Sequence, residues 1–294
     1  VADTGYGDLA AGQAGRGETW RLRRMAEERL TPAEFRQVLA SAEALRPDTR
    51  AWLRRIAALA PRVESAPHGF RRFSLHSEID VYRDPDEPTS GKRLLVACSG
   101  ISNRLMLPIV SFLQHLPSRK LDIVLLRDRS RSHYLNGVPE YAASLPELAA
   151  RLRMQLRPDR YAGLLCYGTS TGGFPALRLG LLLGAGRAVS VGGRFPWHVN
   201  RLTSADGIAL PAFDPLCPCV SKESDTAIFA VYSAAHELDR REAERLSLMR
   251  RVTSIAVPGP DTHNVVKNLF DEGKLSAFYD FAFELSDQPT WPSA

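Results

Sequence analysis

Leu164-Leu165-Cys166-Tyr167 is a continuous apolar run. It is followed at once by Gly168-Thr169-Ser170-Thr171-Gly172-Gly173 and then by Phe174-Pro175-Ala176-Leu177. A short apolar run bounded by glycines reads as a fully buried strand, because no polar residue interrupts it. The segment behind it is an apolar helix. The glycines between them permit a turn too tight for side chains. The stretch therefore predicts strand, sharp turn and helix, with Ser170 at the tip. A buried strand needs neighbours on both edges and cover on both faces.

The rest of the chain from Phe70 onward supplies those neighbours. Phe73–Tyr82 alternates apolar and polar residues and reads as a strand; Asp84-Pro85-Asp86-Glu87-Pro88 is a polar turn. Arg93–Cys98 and Leu121–Leu126 are buried strands, separated by an apolar helix over 105–116. A charged loop, Arg127–Arg131, leads to a helix over 145–156. Strands follow at Ala188–Gly193, Thr226–Tyr232 and Val252–Val257, with helices over 171–183, 239–250 and 264–284. Continuous apolar strands alternating with helices predict an α/β fold, a mainly parallel sheet with helices on both faces.

The first 66 residues have a different texture. Residues 1–17 are rich in Gly, Ala and Asp and read as a lead-in. Residues 18–66 form a short N-terminal helical appendage. Thr31-Pro32-Ala33-Glu34 is a capping signal, with Thr as N-cap, Pro in the first helical position and Glu in the third. Phe35, Val38, Leu39, Ala42 and Leu45 then recur at helical spacing. These helices either pack on the main unit, residues 67–294, or serve as an arm for a protein partner or a second copy of the chain.

Charge and cysteine content narrow the function classes. The 294 residues carry 38 Lys and Arg against 33 Asp and Glu, a formal charge of +5, spread along helical faces rather than gathered in a block. No nucleic-acid reader motif accompanies it, so no nucleic-acid partner is expected. Cys98 and Cys166 sit in strand-like runs as small core residues. Cys217-Pro218-Cys219 lacks the partner ligands of a zinc site, and no His/Asp/Glu cluster suggests another metal or a cofactor. No run approaches the roughly 20 apolar residues of a membrane span, and no basic-then-apolar leader opens the chain. The expectation is a cytoplasmic setting.

Gly168-Thr169-Ser170-Thr171-Gly172 fits Gly-x-Ser-x-Gly, and the strand before it and helix after it are the context in which that pattern holds a nucleophilic serine. A base is needed. His263 stands directly after the last strand and before the last helix. An acid would orient it, and Glu237 and Asp239, after the strand ending at Tyr232, are candidates. Asp239-Arg240-Arg241-Glu242 could be a capping box, which would occupy Asp239, so Glu237 is placed first. The loop Ser99-Gly100-Ile101-Ser102-Asn103 after an earlier strand stands where backbone N–H groups could face the serine.

Taken together, segments 92–103, 161–184, 187–193, 226–250 and 252–265 resemble the α/β-hydrolase superfamily, over roughly residues 70–290. The resemblance implies Ser170 as nucleophile, His263 as base and Glu237 or Asp239 as acid. It implies an oxyanion hole from the Thr171 N–H and a second donor from Ser99, Gly100 or Ile101. The first loop is Cys-Ser-Gly-Ile-Ser rather than the His-Gly-Gly of many lipases. Residues 194–225 fall where such enzymes insert a lid, and there Trp197 and His198 are candidate pocket walls. The implied activity is hydrolysis of an ester or thioester through an acyl-enzyme, on a small-molecule, carrier-linked or sugar-linked acyl group. Acyl transfer with the same residues, or an inactive binding module on the same fold, are the alternatives.

Overall fold

The computed structural model describes residues 16–61, 69–194, 225–247, 252–286 and 291. Most of the segment expected to form a lid, with Trp197 and His198, lies outside the described residues, as do Cys217 and Cys219 and most of the lead-in.

Eight strands form one sheet: β1 (Arg71–His76), β2 (Ile79–Arg83), β3 (Arg93–Cys98), β4 (Leu121–Leu126), β5 (Gly163–Thr169), β6 (Arg187–Val191), β7 (Ala227–Ser233) and β8 (Val252–Val257). Their spatial order is β1-β2-β4-β3-β5-β6-β7-β8. β1, β2 and β4 pair antiparallel, and the remaining pairings are parallel. The sheet is mainly parallel, and the helices lie on both faces.

The period of two along each strand builds two separate cores. Leu95, Ala97, Ile123, Leu125, Leu165 and Tyr167 face one side. There they meet α4 (Ile109–Leu113), α8 (Val265–Asp271) and α9 (Leu275–Phe283). Leu94, Val96, Cys98, Val124, Leu164 and Cys166 face the other. They pack on α5 (Leu145–Leu156) and α6 (Gly173–Leu183). α7 (Glu237–Ser247) follows β7 and contributes Leu246 to this second core.

Three elements differ from the sequence reading. The span 73–82 is not one strand but the hairpin β1–β2, with His76 opposite Ile79 and a register shift between Ser74 and His76. Alternation continues across the two-residue turn, which hides the break. The helix expected over 105–116 shrinks to Ile109–Leu113, because Pro108 holds an extended conformation (φ −53°, ψ 146°) ahead of it. The helix expected over 264–284 is two helices, α8 and α9, divided where Gly273 takes φ +69°.

The N-terminal helices are α1 (Arg16–Arg29), α2 (Pro32–Ala40) and α3 (Pro47–Ala58). Glu34 N–H donates to Thr31 Oγ1 at 3.2 Å and Thr31 N–H to Glu34 Oε2 at 2.8 Å, closing the capping box. Leu30, Phe35 and Leu53 form a small core with Val110 of α4. Arg29 pairs with Asp80 of β2 at 3.1 Å, and Asp80 also binds the buried Arg127 at 2.7 Å. The Tyr82 hydroxyl donates to Arg29 O at 3.0 Å. Phe35, Leu53 and Ile56 of these helices are thus buried within the same chain. Among the described residues, no helix is long and apolar enough to cross a membrane.

Candidate active site

β5 runs through the middle of the sheet and ends at Thr169. Ser170 then takes φ +53°, a left-handed conformation that costs an L-residue energy and persists only where its surroundings enforce it. A single 3-10 turn, Ser170–Gly172, passes into α6. Ser170 O accepts from Gly173 N–H and, at 2.9 Å, from Arg194 N–H, so the turn is tied on two sides. The site has no room for a larger residue at Gly172, where a β-carbon would collide with the carbonyls of Cys98 and Ser99. Close approach of the two loops thus depends on that glycine.

His263 stands between β8 and α8. Its neighbour Asn264 caps α8, with Oδ1 accepting from Lys267 N–H at 3.0 Å, while Asn264 Nδ2 donates to Met106 O at 3.0 Å. One side chain therefore starts the helix and fastens the histidine loop to the loop after β3. His263 Nε2 lies 2.8 Å from Ser170 Oγ. His263 Nδ1 lies 2.9 and 3.0 Å from the two carboxylate oxygens of Asp239. The Asp239 side chain is fully buried and that of His263 is partly exposed.

Ser170, His263 and Asp239 are brought together; Glu237 is not. Glu237 is exposed and pairs with Arg241 one helical turn on. Asp239 is not an N-cap, because α7 already begins at Glu237. Two residues along a helix amount to a rotation of about 200°, so the two carboxylates point to opposite sides.

Of the three candidate loop donors, Ser99 has its N–H committed to Leu126 O at 3.1 Å, and Gly100 is no freer. Its N–H is committed to Arg104 O at 3.0 Å inside the turn that Gly100 opens. Ile101, the next residue, is 50% exposed. Gly100 still brings the loop close to the serine: a β-carbon on it would stand 3.2 Å from Ser170 Cβ. The Thr171 N–H is among the first donors of the turn, which have no intrahelical acceptor.

Two further side chains converge on Asp239 and were not singled out from the sequence. His236 Nδ1 lies 3.1 Å from Asp239 Oδ1 and accepts from Asp239 N–H at 3.3 Å. Arg194 approaches Asp239 Oδ1 at 3.3 Å. His236, at three residues before Asp239, could have been found from helical spacing; Arg194 could not. His236, Asp239 and His263 also offer ligand atoms within 4.8 Å of one another, a grouping no local sequence pattern reveals. In this structure those atoms are engaged in the hydrogen bonds just described.

A mainly parallel sheet, a serine on the turn after β5, a carboxylate after β7 and a histidine after β8 occur here in the chain order Ser, Asp, His. The fold is the α/β-hydrolase fold. No protein-family model matches the chain, and no curated protein sequence does. Solved α/β-hydrolase structures resemble it at low identity. An α/β serine hydrolase without lid from Xanthomonas campestris shares 16% identity over 77% of this chain and 98% of its own, with a TM-score of 0.45. Est1E from Butyrivibrio proteoclasticus shares 11% over 74% and 99%, with a TM-score of 0.49. The fluorophosphonate-binding serine hydrolase F of Staphylococcus aureus shares 13% over 70% and 94%, with a TM-score of 0.48. At such identities the likeness is one of chain path.

Proposed function

We propose that this α/β-hydrolase-fold chain is a serine hydrolase acting on an ester or thioester. The observation that carries the reading is the unbroken line from Ser170 Oγ through His263 to Asp239, at 2.8 Å and 2.9 Å. In the first half-reaction Ser170 Oγ attacks the carbonyl carbon while its proton passes to His263 Nε2. Asp239 accepts the Nδ1 proton in a hydrogen bond, fixes the tautomer and offsets the charge of the imidazolium. The carbonyl oxygen becomes an oxyanion, held by the N–H groups of Thr171 and Ile101; each such donor contributes about 2.7–4 kcal/mol to the transition state. The bond to the leaving alkoxide or thiolate breaks as Nε2 returns the proton to it. Water then attacks the acyl-serine with the same histidine as base, releasing the acid and restoring Ser170.

A fluorophosphonate probe tests the reading directly. It should label the wild-type chain and leave Ser170→Ala unlabelled. An unlabelled wild type that is otherwise folded would refute the serine nucleophile. Turnover of 4-nitrophenyl esters and acyl thioesters then separates the two substrate classes.

A further inference from the structure

A cavity of about 500 Å³ lies between α1, α3 and the loops that follow β3 and β4. Its lining includes Trp20, Trp52, Ile101, Arg104 and Arg131. Two of these surfaces are open apolar ones: Trp20 is 61% exposed and Ile101 50%. The N-terminal helices therefore form one wall of a hollow whose other wall is the loop beside Ser170.

The charges around the hollow are unequal in their pairing. Arg23 is taken by Asp48 at 2.6 Å and Arg24 by Glu28 at 2.7 Å. Arg104 is taken by Glu27, which also accepts from Trp52 Nε1 at 2.7 Å. Arg131 differs. Among the described residues its guanidinium makes neither an ion pair nor a hydrogen bond. Its backbone is nevertheless held, at φ +56°, in a turn built on Asp128. Asp128 accepts from Ser130 Oγ at 2.5 Å and from Tyr134 N–H at 2.9 Å. An exposed cation lining the same cavity as an exposed indole and an aliphatic side chain suits an apolar or aromatic group that ends in an anion.

We propose that this cavity is a substrate subsite for an aryl or acyl group carrying a carboxylate, with Arg131 as its counter-ion and Trp20 as its apolar platform. The proposal rests on the serine-hydrolase reading for its role but not for the binding itself. Ile101 links the two places: it lines the cavity and follows Gly100, on which a β-carbon would stand 3.2 Å from Ser170 Cβ. A substrate with its carbonyl at Ser170 could then extend past Ile101 toward Arg131.

The probes are 4-phenylbutyrate and its uncharged amide. In Ser170→Ala, where no turnover intervenes, 4-phenylbutyrate should quench tryptophan fluorescence and the amide should not. Arg131→Ala should weaken the effect about tenfold or more, and Arg131→Lys should keep part of it. Trp20→Phe should remove most of the signal. Equal quenching by the amide, or undiminished binding in a folded Arg131→Ala, would overturn the subsite. In the wild type, saturating 4-phenylbutyrate should slow fluorophosphonate labelling several-fold. Binding without slowed labelling would place the anion site away from the serine and end its role as a substrate subsite. Labelling without anion binding would leave the nucleophile standing and remove the subsite, whereas anion binding without labelling would do the reverse.

Discussion

Gly192 lies against the imidazole of His263: a β-carbon built on the glycine would stand 3.1 Å from His263 Cε1, at a backbone φ of +54°. The same atom would be 3.3 Å from Asp239 Oδ2 and 3.0 Å from Met106 Cε. Gly192 follows β6, and its N–H donates to Val231 O at 2.8 Å, so it cannot retreat without leaving the sheet. Gly192→Ala should therefore push the histidine and aspartate rather than move itself. We expect a loss of up to about 10²-fold in kcat, the size of effect that a small misplacement of reacting groups produces. Melting of the variant should show a cost of about 1–3 kcal/mol from the left-handed backbone.

Asp239 and Glu237 offer a matched comparison. Asp239→Asn keeps the shape but cannot hold Nδ1–H in the required tautomer, and kcat on an activated ester should fall by about 10⁴-fold. Glu237→Gln, at an exposed position paired with Arg241, should change kcat less than twofold. Comparable losses in the two variants would count against Asp239 as the acid.

Lys92 and Asp122 form a buried pair at 2.9 Å, and each side chain is only 1% exposed. Lys92 also donates to Asp84 O at 2.9 Å, and Tyr161 donates to the other Asp122 oxygen at 3.0 Å. Lys92→Met leaves a buried carboxylate without its cation and should cost about 3–5 kcal/mol in urea unfolding. The double replacement Lys92→Met, Asp122→Leu should recover much of that loss, because both charges are gone together.

The thiols of Cys98 and Cys166 are pushed up by burial, and for Cys98 the neighbouring Cys166 adds to the shift. A raised thiol stays protonated at pH 8, and the protonated form is a poor nucleophile. In a Cys217→Ser, Cys219→Ser background, a disulfide reagent at pH 8 should find no reactive thiol until the protein unfolds. Both should then react together. Fast reaction of either in the folded state would contradict the buried placement.

How far the sequence was legible depended on whether a feature is local. β3, β4, α5 and β8 begin and end where the sequence reading places them, because apolar runs and helical spacing are recognised from a segment's own residues. The capping box at Thr31 was legible for the same reason. Placing Glu237 ahead of Asp239 failed over a two-residue error in where α7 starts, which turns the wrong carboxylate toward the histidine. Gly100 lost its donor role to Arg104 O, a closure set by how the loop packs against α1 through Arg104 and Glu27. Arg194 and Gly192 act across the sheet, and only the register of β6 with β7 brings them to Asp239.

Ser170 follows a central strand, whereas His263, the middle of the line from Ser170 to Asp239, follows a strand at the sheet margin. β5 has strands on both sides and is buried along nearly its whole length, whereas β8, among the described residues, pairs with β7 alone and is largely half-exposed. The serine and its base therefore belong to regions of unequal local stability. Amide exchange should be slow through β5 and fast through β8 and the His263 loop. Mild denaturant should silence the protein while most of its helix and sheet persist. The working lifetime of the site would then be governed by fraying at the sheet margin, not by the global unfolding of the chain.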